Sequence, residues 1–133
     1  MKVVLDTNVL VSALINPKGM PAKILNLILN EKLTILYDNR IMGEYREVLS
    51  RKKFNFSHEM IEPLINFIKY EGEFIASEPL KTHFSDEDDK MFLEVAVSGN
   101  AEYLITGSTK HFPAENNIVT PKIFIEKKAG IDG

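Results

Sequence analysis

Four carboxylates stand out by type and position: Asp6, Glu44, Asp86 and Asp89. Asp6 closes the short apolar run Val3-Val4-Leu5, and ligands in open α/β sheets bind just beyond the carboxyl ends of strands. The plainer reading of Asp6 is a cap for the next helix. Advancing 100° per residue along a helix, Ile41, Tyr45, Val48 and Leu49 form a narrow arc with Glu44 at its edge, while Glu47 points further outward. By itself Glu44 reads as a boundary glutamate whose stem covers its neighbours. Asp89 lies three residues before Phe92, four before Leu93 and seven before Ala96. It therefore falls in the middle of an apolar stripe formed by Phe92, Leu93, Ala96 and Val97. Asp86 shares that face one turn earlier, and Glu87 and Asp88 point elsewhere. Acids in a first helical turn gain about 0.3–1 kcal/mol each from the helix dipole, which accounts for Asp86, Glu87 and Asp88. It does not account for Asp89, because a carboxylate on a buried face pays desolvation unless something pairs with it. No evident neighbouring arginine or lysine supplies that partner; a metal ion would.

Asp6, Glu44 and Asp89 can converge at the carboxyl ends of neighbouring strands. All-oxygen donor sets suit Mg²⁺ or Mn²⁺, and Mg²⁺ keeps several waters beside one or two carboxylates. Such an ion activates water, orients a phosphate and stabilises a leaving oxygen. The chemistry suggested is metal-assisted phosphodiester hydrolysis in an open cleft. No serine or histidine triad is evident: His58, His83 and His111 are scattered and read as surface residues.

These carboxylates need an alternating scaffold. Residues 2–6 read as a strand and 7–15 as a helix, broken by Asn16-Pro17-Lys18-Gly19. A second helix spans 20 to about 31, with Pro21 tolerated in its first turn. A strand follows at 33–37, then helices at 39 to about 52 and at 57–70. Ser57 caps the latter, and Pro63 inside it is a possible kink. Residues 73–76 form a short strand and 77–85 a loop. Ser85 caps a fifth helix, 86–98, with Asp88 as its capping-box partner. Strands at 102–106 and 117–119 and a helix opened by Pro121 complete the chain, and 129–133 read as a loose tail. Strands alternating with helices imply a three-layer α/β/α fold around a mostly parallel sheet. One domain over residues 1–133 suffices.

The chain has 133 residues, of which 44% are hydrophobic and 26% charged, a balance that argues against disorder. The absence of cysteine excludes disulfides, thiolate zinc sites and a cysteine nucleophile. The first residues reach a carboxylate too soon for a signal peptide, and no apolar run approaches the ~18 residues of a membrane span. The expectation is a cytoplasmic protein without membrane contact. A net charge of −3 speaks against nucleic acid. With four acids set aside for a metal, however, the remaining charge is positive. Arg46, Arg51, Lys52 and Lys53 cluster on and after the glutamate helix and are candidate phosphate contacts, with Phe54 and Phe56 beside them as stacking surfaces or core.

The motifs resemble one family. Val4-Leu5-Asp6-Thr7-Asn8-Val9-Leu10-Val11-Ser12-Ala13 is similar to the opening of PIN domains. Glu44-Tyr45-Arg46-Glu47-Val48-Leu49 is similar to their glutamate helix, and Asp86-Glu87-Asp88-Asp89-Lys90-Met91-Phe92-Leu93-Glu94 to their second acidic motif. Ala101-Glu102-Tyr103-Leu104-Ile105-Thr106-Gly107 and Ile118-Val119-Thr120-Pro121 resemble their closing strands. The likeness runs in order along nearly the whole chain, and is nearest to toxin components of toxin–antitoxin pairs. It implies a five-stranded parallel sheet and a Mg²⁺- or Mn²⁺-dependent endoribonuclease. Asp6, Glu44 and Asp89 would be metal residues, Asp86 a further acidic position and Asn8 a supporting polar group. The implied partners are an RNA substrate, an antitoxin protein and a second copy of the chain in a homodimer.

One position departs from the family pattern: Ser108 stands where an aspartate is usual. A hydroxyl can hydrogen-bond a metal-bound water but carries no charge, so whether one or two metals bind stays open. Three other readings are weighed against the ribonuclease. A nuclease acting on DNA or structured nucleic acid would use the same carboxylates. A phosphoacceptor domain would need an acidic partner beside Asp6, and Asp38 after the second strand does not supply it. A silent nucleic-acid-binding module is compatible with Ser108, but gives no physical reason for gathering buried acids.

Overall fold

The computed structural model describes residues 1–81 and 87–128. Five strands, β1 (Lys2–Leu5), β2 (Thr34–Tyr37), β3 (Glu73–Phe74), β4 (Tyr103–Ile105) and β5 (Ile118–Val119), form one sheet in the order β3-β2-β1-β4-β5. Every pairing is parallel. The helices are α1 (Thr7–Ile15), α2 (Met20–Leu29), α3 (Asn39–Leu49), α4 (His58–Glu71), α5 (Lys90–Ser98) and α6 (Pro121–Lys127). The expected α/β architecture with a five-stranded sheet is what the chain adopts, and the sheet is wholly rather than mostly parallel.

Parallel strands covered on both faces are apolar throughout instead of alternating. Accordingly Val3, Val4 and Leu5 of β1 and Ile35, Leu36 and Tyr37 of β2 are all buried. From β1 the chain steps outward to β2 and β3, then jumps back across the sheet to β4 and β5. Right-handed crossovers put the β3–β4 connection on the face opposite the first two. Its helix α5 packs against β1, β2 and β4. The winding direction changes between β1 and β4, which makes the crevice at their carboxyl ends the topological switch point.

Local chemistry sets the boundaries. Ser57 caps α4 by accepting from the Met60 N–H, and Thr120 caps α6 by accepting from Ile123. Pro63 does not break α4. It lies on the exposed face, where water can satisfy the carbonyl its missing N–H leaves over. The second helix stops at Leu29 rather than near residue 31, because Glu31 turns left-handed at φ 60°. The third stops at Leu49, followed by a short 3-10 turn, Lys52–Phe54. The fifth helix begins later than expected: Glu87–Asp89 is a 3-10 turn and α5 proper starts at Lys90. Ser85, its expected cap, and the tail at 129–133 lie outside the described residues. None of the described helices is long and apolar enough to cross a membrane.

Gly72 joins α4 to β3 at a close backbone approach. A Cβ there would sit 2.5 Å from the Ile68 carbonyl oxygen and 2.7 Å from that of Ile35. Neither oxygen can swing aside as a side chain can. Gly72→Ala should therefore destabilise by about 1–3 kcal/mol, the usual overpacking cost, measurable by urea denaturation.

Candidate active site

Asp6 follows β1 and opens α1, but its side chain makes no capping hydrogen bond. The carboxylate is buried and accepts from the Thr106 hydroxyl at 2.7 Å. The strand register explains the meeting: Leu5 pairs with Ile105, so the next residue of each strand emerges side by side at the switch point. Thr106 is fully buried and receives the Ser108 N–H at 3.0 Å. That bond occupies the hydroxyl oxygen while its hydrogen points at Asp6. Asn8 braces the same corner by accepting from the Gly107 N–H at 3.1 Å. Burial pushes the Asp6 carboxyl above its ordinary range. The Thr106 hydrogen bond opposes the rise, repulsion from Asp89 adds to it, and the Asn8 and Thr7 N–H groups oppose it.

Glu44 arrives from α3. Its neighbour Tyr45 is fully buried and donates its hydroxyl to the Leu5 carbonyl, which fixes α3 against the end of β1. The Thr7 hydroxyl donates to Glu44 Oε2. Half-buried Glu44 also titrates above its ordinary range: burial raises it, Thr7 lowers it, Asp6 and Asp88 raise it, and Arg51 lowers it. Asp89 sits in the 3-10 turn before α5, with its Oδ2 3.3 Å from His111 Nδ1. Asp6 thus stands within electrostatic range of both Glu44 and Asp89, and the three come from separate elements.

Several expectations need correction. Val97 is 53% exposed, and α5 instead buries Phe92, Leu93, Glu94, Val95 and Ala96. The 3-10 turn advances about 120° per residue instead of about 100°, so the phase traced back from α5 drifts by about 20° per residue, leaving Asp89 mostly covered but displacing Asp88. Asp88, expected to point away, lines the cleft with Glu44. His111 is a surface residue as expected, yet it contacts Asp89. Arg46 pairs with Glu62 at 3.2 Å, and Arg51 grips Glu47 through two bonds of 2.7 and 2.8 Å. These two arginines have carboxylate partners already. Lys52 and Lys53 are exposed, with the Lys53 ammonium 5.1 Å from the Phe54 ring, which stacks on Phe56. Asp86 and His83 lie outside the described residues.

Three groups escaped the sequence reading. Thr7 and Thr106 each aim a hydroxyl at a site carboxylate; for Thr7 the available signal was its place directly after a strand-terminal aspartate. The third group is an ion network that joins two buried carboxylates through a half-exposed arginine. Asp38 caps α3 through the Ile41 N–H. Arg40 bonds Asp38 at 2.7 Å, Glu94 at 2.7 Å and the Ser77 hydroxyl at 2.9 Å. Glu94 also accepts the Leu80 N–H at 2.7 Å. An acid between Leu93 and Val95 was its signal.

A cleft of about 620 Å³ opens between α3 and α5. Its walls carry Glu44, Glu47, Glu87, Asp88 and Glu94 against Arg40 and Lys90. A phosphate entering it meets net negative charge and needs a cation between. The carboxylates fit a hard divalent ion by donor type. Asp6 has no cationic side chain bonded to it among the described residues, and Asp6 and Glu44 both resist ionisation. No group of three acidic or histidine side chains closes to ligating spacing among the described residues.

The sequence matches the family model of the PIN domain over residues 2–110. It is also 35% identical to the uncharacterized protein MJ1680 of Methanocaldococcus jannaschii, across 96% of this chain and 91% of the relative. The chain belongs to the PIN-domain family, a family of nuclease type whose members typically use divalent metal ions.

Proposed function

We propose that the protein is a Mg²⁺- or Mn²⁺-dependent endoribonuclease, the toxin component of a toxin–antitoxin pair, acting in the cytoplasm as a homodimer of single-domain chains held in check by an antitoxin protein. The observation that supports this reading is that Asp6, at the β1/β4 switch point, lies within electrostatic range of both Glu44 and Asp89, while Thr106, Thr7 and His111 contact the three acids in turn. Asp6 and Asp89 would hold the ion, with Glu44 at its edge and Asp86 as a further acid. The bound ion would supply an activated water and charge neutralisation at the phosphate. Thr106 and Thr7 fix the carboxylates, Asn8 braces the corner, and the Ser108 backbone orients Thr106. Lys52 and Lys53 supply sequence-independent phosphate contacts, weakened by salt.

The test is incubation of labelled single-stranded RNA and matched DNA with the protein, Mn²⁺ or Mg²⁺, and chelator. Internal cleavage of RNA that chelator abolishes is the expected result. Preference for DNA would move the assignment to a deoxyribonuclease. Tight RNA binding with no cleavage in either metal would identify a silent binding module, the reading that the uncharged Ser108 favours.

A further inference from the structure

We propose that His111 is a positioning residue for the metal-binding carboxylates, an inference that rests on the metal-site reading above. The connection leaving β4 reaches the site twice. At its start the Thr106 hydroxyl donates to Asp6, and five residues later His111 Nδ1 lies 3.3 Å from Asp89 Oδ2. Asp6 and Asp89 repel one another. They come from elements that are not consecutive in the chain, the end of β1 and the turn before α5. The β4–β5 connection therefore holds both members of a pair whose charges push them apart, and its geometry sets their spacing.

His111 Nδ1 lies within ion-pair distance of Asp89 Oδ2, and a ring nitrogen that carries its hydrogen there can donate to the carboxylate. Such donors outside the ligand set orient ligands, and their loss typically weakens metal affinity about 10–100-fold. Folding is expected to survive loss of the imidazole. The side chain is 44% exposed, and the turn is closed by backbone bonds from His111 N–H to the Ser108 carbonyl and from Phe112 N–H to the Thr109 carbonyl. His111 thus acts through Asp89, and its removal should loosen the ion without loosening the protein.

The measurement is Mn²⁺ affinity, read from the electron paramagnetic resonance signal of the free ion, for wild type, Asp89→Asn, His111→Ala, His111→Asn and the double variant Asp89→Asn/His111→Ala. Thermal midpoints are recorded for all five. The asparagine amide occupies the place of Nδ1 and can donate to Asp89. His111→Ala should weaken Mn²⁺ binding about 10–100-fold with an unchanged midpoint, and His111→Asn should recover most of it. Combined with Asp89→Asn, His111→Ala should add little. Equal affinity for wild type and His111→Ala overturns the inference and leaves the metal site standing. So does weakening that asparagine fails to recover. If wild type and Asp89→Asn fail alike to bind Mn²⁺, the metal-site reading itself falls, and this inference with it.

Discussion

Asp6→Asn is expected to reduce metal-dependent cleavage by at least about 100-fold and, in the same variant, to raise the stability of the metal-free protein. The first effect follows from losing a charged ligand, which should cost no less than the upper end of what an outer-shell partner costs. The second follows from burial. Asp6 is 6% exposed and its carboxyl is pushed above the ordinary value of 3.8, first by desolvation and then by Asp89. A group whose folded pKa is raised binds its proton more tightly in the native state, so stability falls as pH climbs from the unfolded pKa through the folded one. Above that window the ionised form is a standing cost; below about pH 3.8 the cost is absent. Asparagine has the same shape, can accept from Thr106 through its Oδ1 and carries no charge. A gain of about 1 kcal/mol, or roughly 3–5 °C, is the expected scale at neutral pH. The gap should close in acid. Saturating Mn²⁺ should raise the wild-type midpoint and leave the variant's unmoved. A variant less stable than wild type in chelator at pH 7 would mean that Asp6 is held by compensating interactions and is not poised for a cation.

The scaffold was legible because parallel strands buried on both faces write themselves as solid apolar runs, and Asn16-Pro17-Lys18-Gly19 punctuates as it must. The first helix, residues 7–15, was read without error at either end, since Asp6 and Asn16 mark both limits. Periodicity also found the buried face of α3, where Ile41, Tyr45 and Leu49 are fully buried and Glu44 lies at the margin. It loosened at the start of α5. A 3-10 turn changes the angle per residue, so Asp88 lines the cleft although it was expected to point elsewhere, while Asp89 is mostly covered. The partners of the carboxylates were hidden for a different reason. Thr106 meets Asp6 across 100 residues through strand register, and His111 meets Asp89 through a loop whose path no local pattern encodes. The ion-pair partners of the arginines differ in legibility: only packing brings Glu62 to Arg46, whereas Glu47 stands one helical turn from Arg51 and can be read from the sequence.

Arg40→Ala should produce the largest loss of stability, about 2–3 kcal/mol or roughly 10 °C in midpoint. The guanidinium joins two buried carboxylates, Asp38 and Glu94, at 6% and 5% exposure, and reaches Ser77 as well. Removing it strands both acids; breaking a buried pair costs about 3–5 kcal/mol, discounted here because Arg40 itself is half exposed. Burial alone would raise the Glu94 carboxyl. The Arg40 hydrogen bond, the Leu80 N–H and the charges of Arg40 and Lys90 outweigh it and hold the group below its ordinary 4.5. A depressed carboxylate contributes stability that is present above about pH 4.5 and is lost as pH falls through its folded value. In Arg40→Ala that contribution vanishes and burial governs, so wild type and variant should converge in acid and diverge towards neutrality. This is the opposite slope to the one Asp6 and Glu44 impose on the metal-free site. Glu94→Gln should cost less, since it preserves the Arg40–Asp38 pair and strands no charge. The network also ties residues 77–80 to both walls of the cleft through Ser77 and Leu80. Hydrogen exchange over that stretch should therefore quicken in Arg40→Ala under conditions where the protein is still folded. Unchanged exchange there, with the global loss intact, would make the network a stability element that leaves the cleft alone.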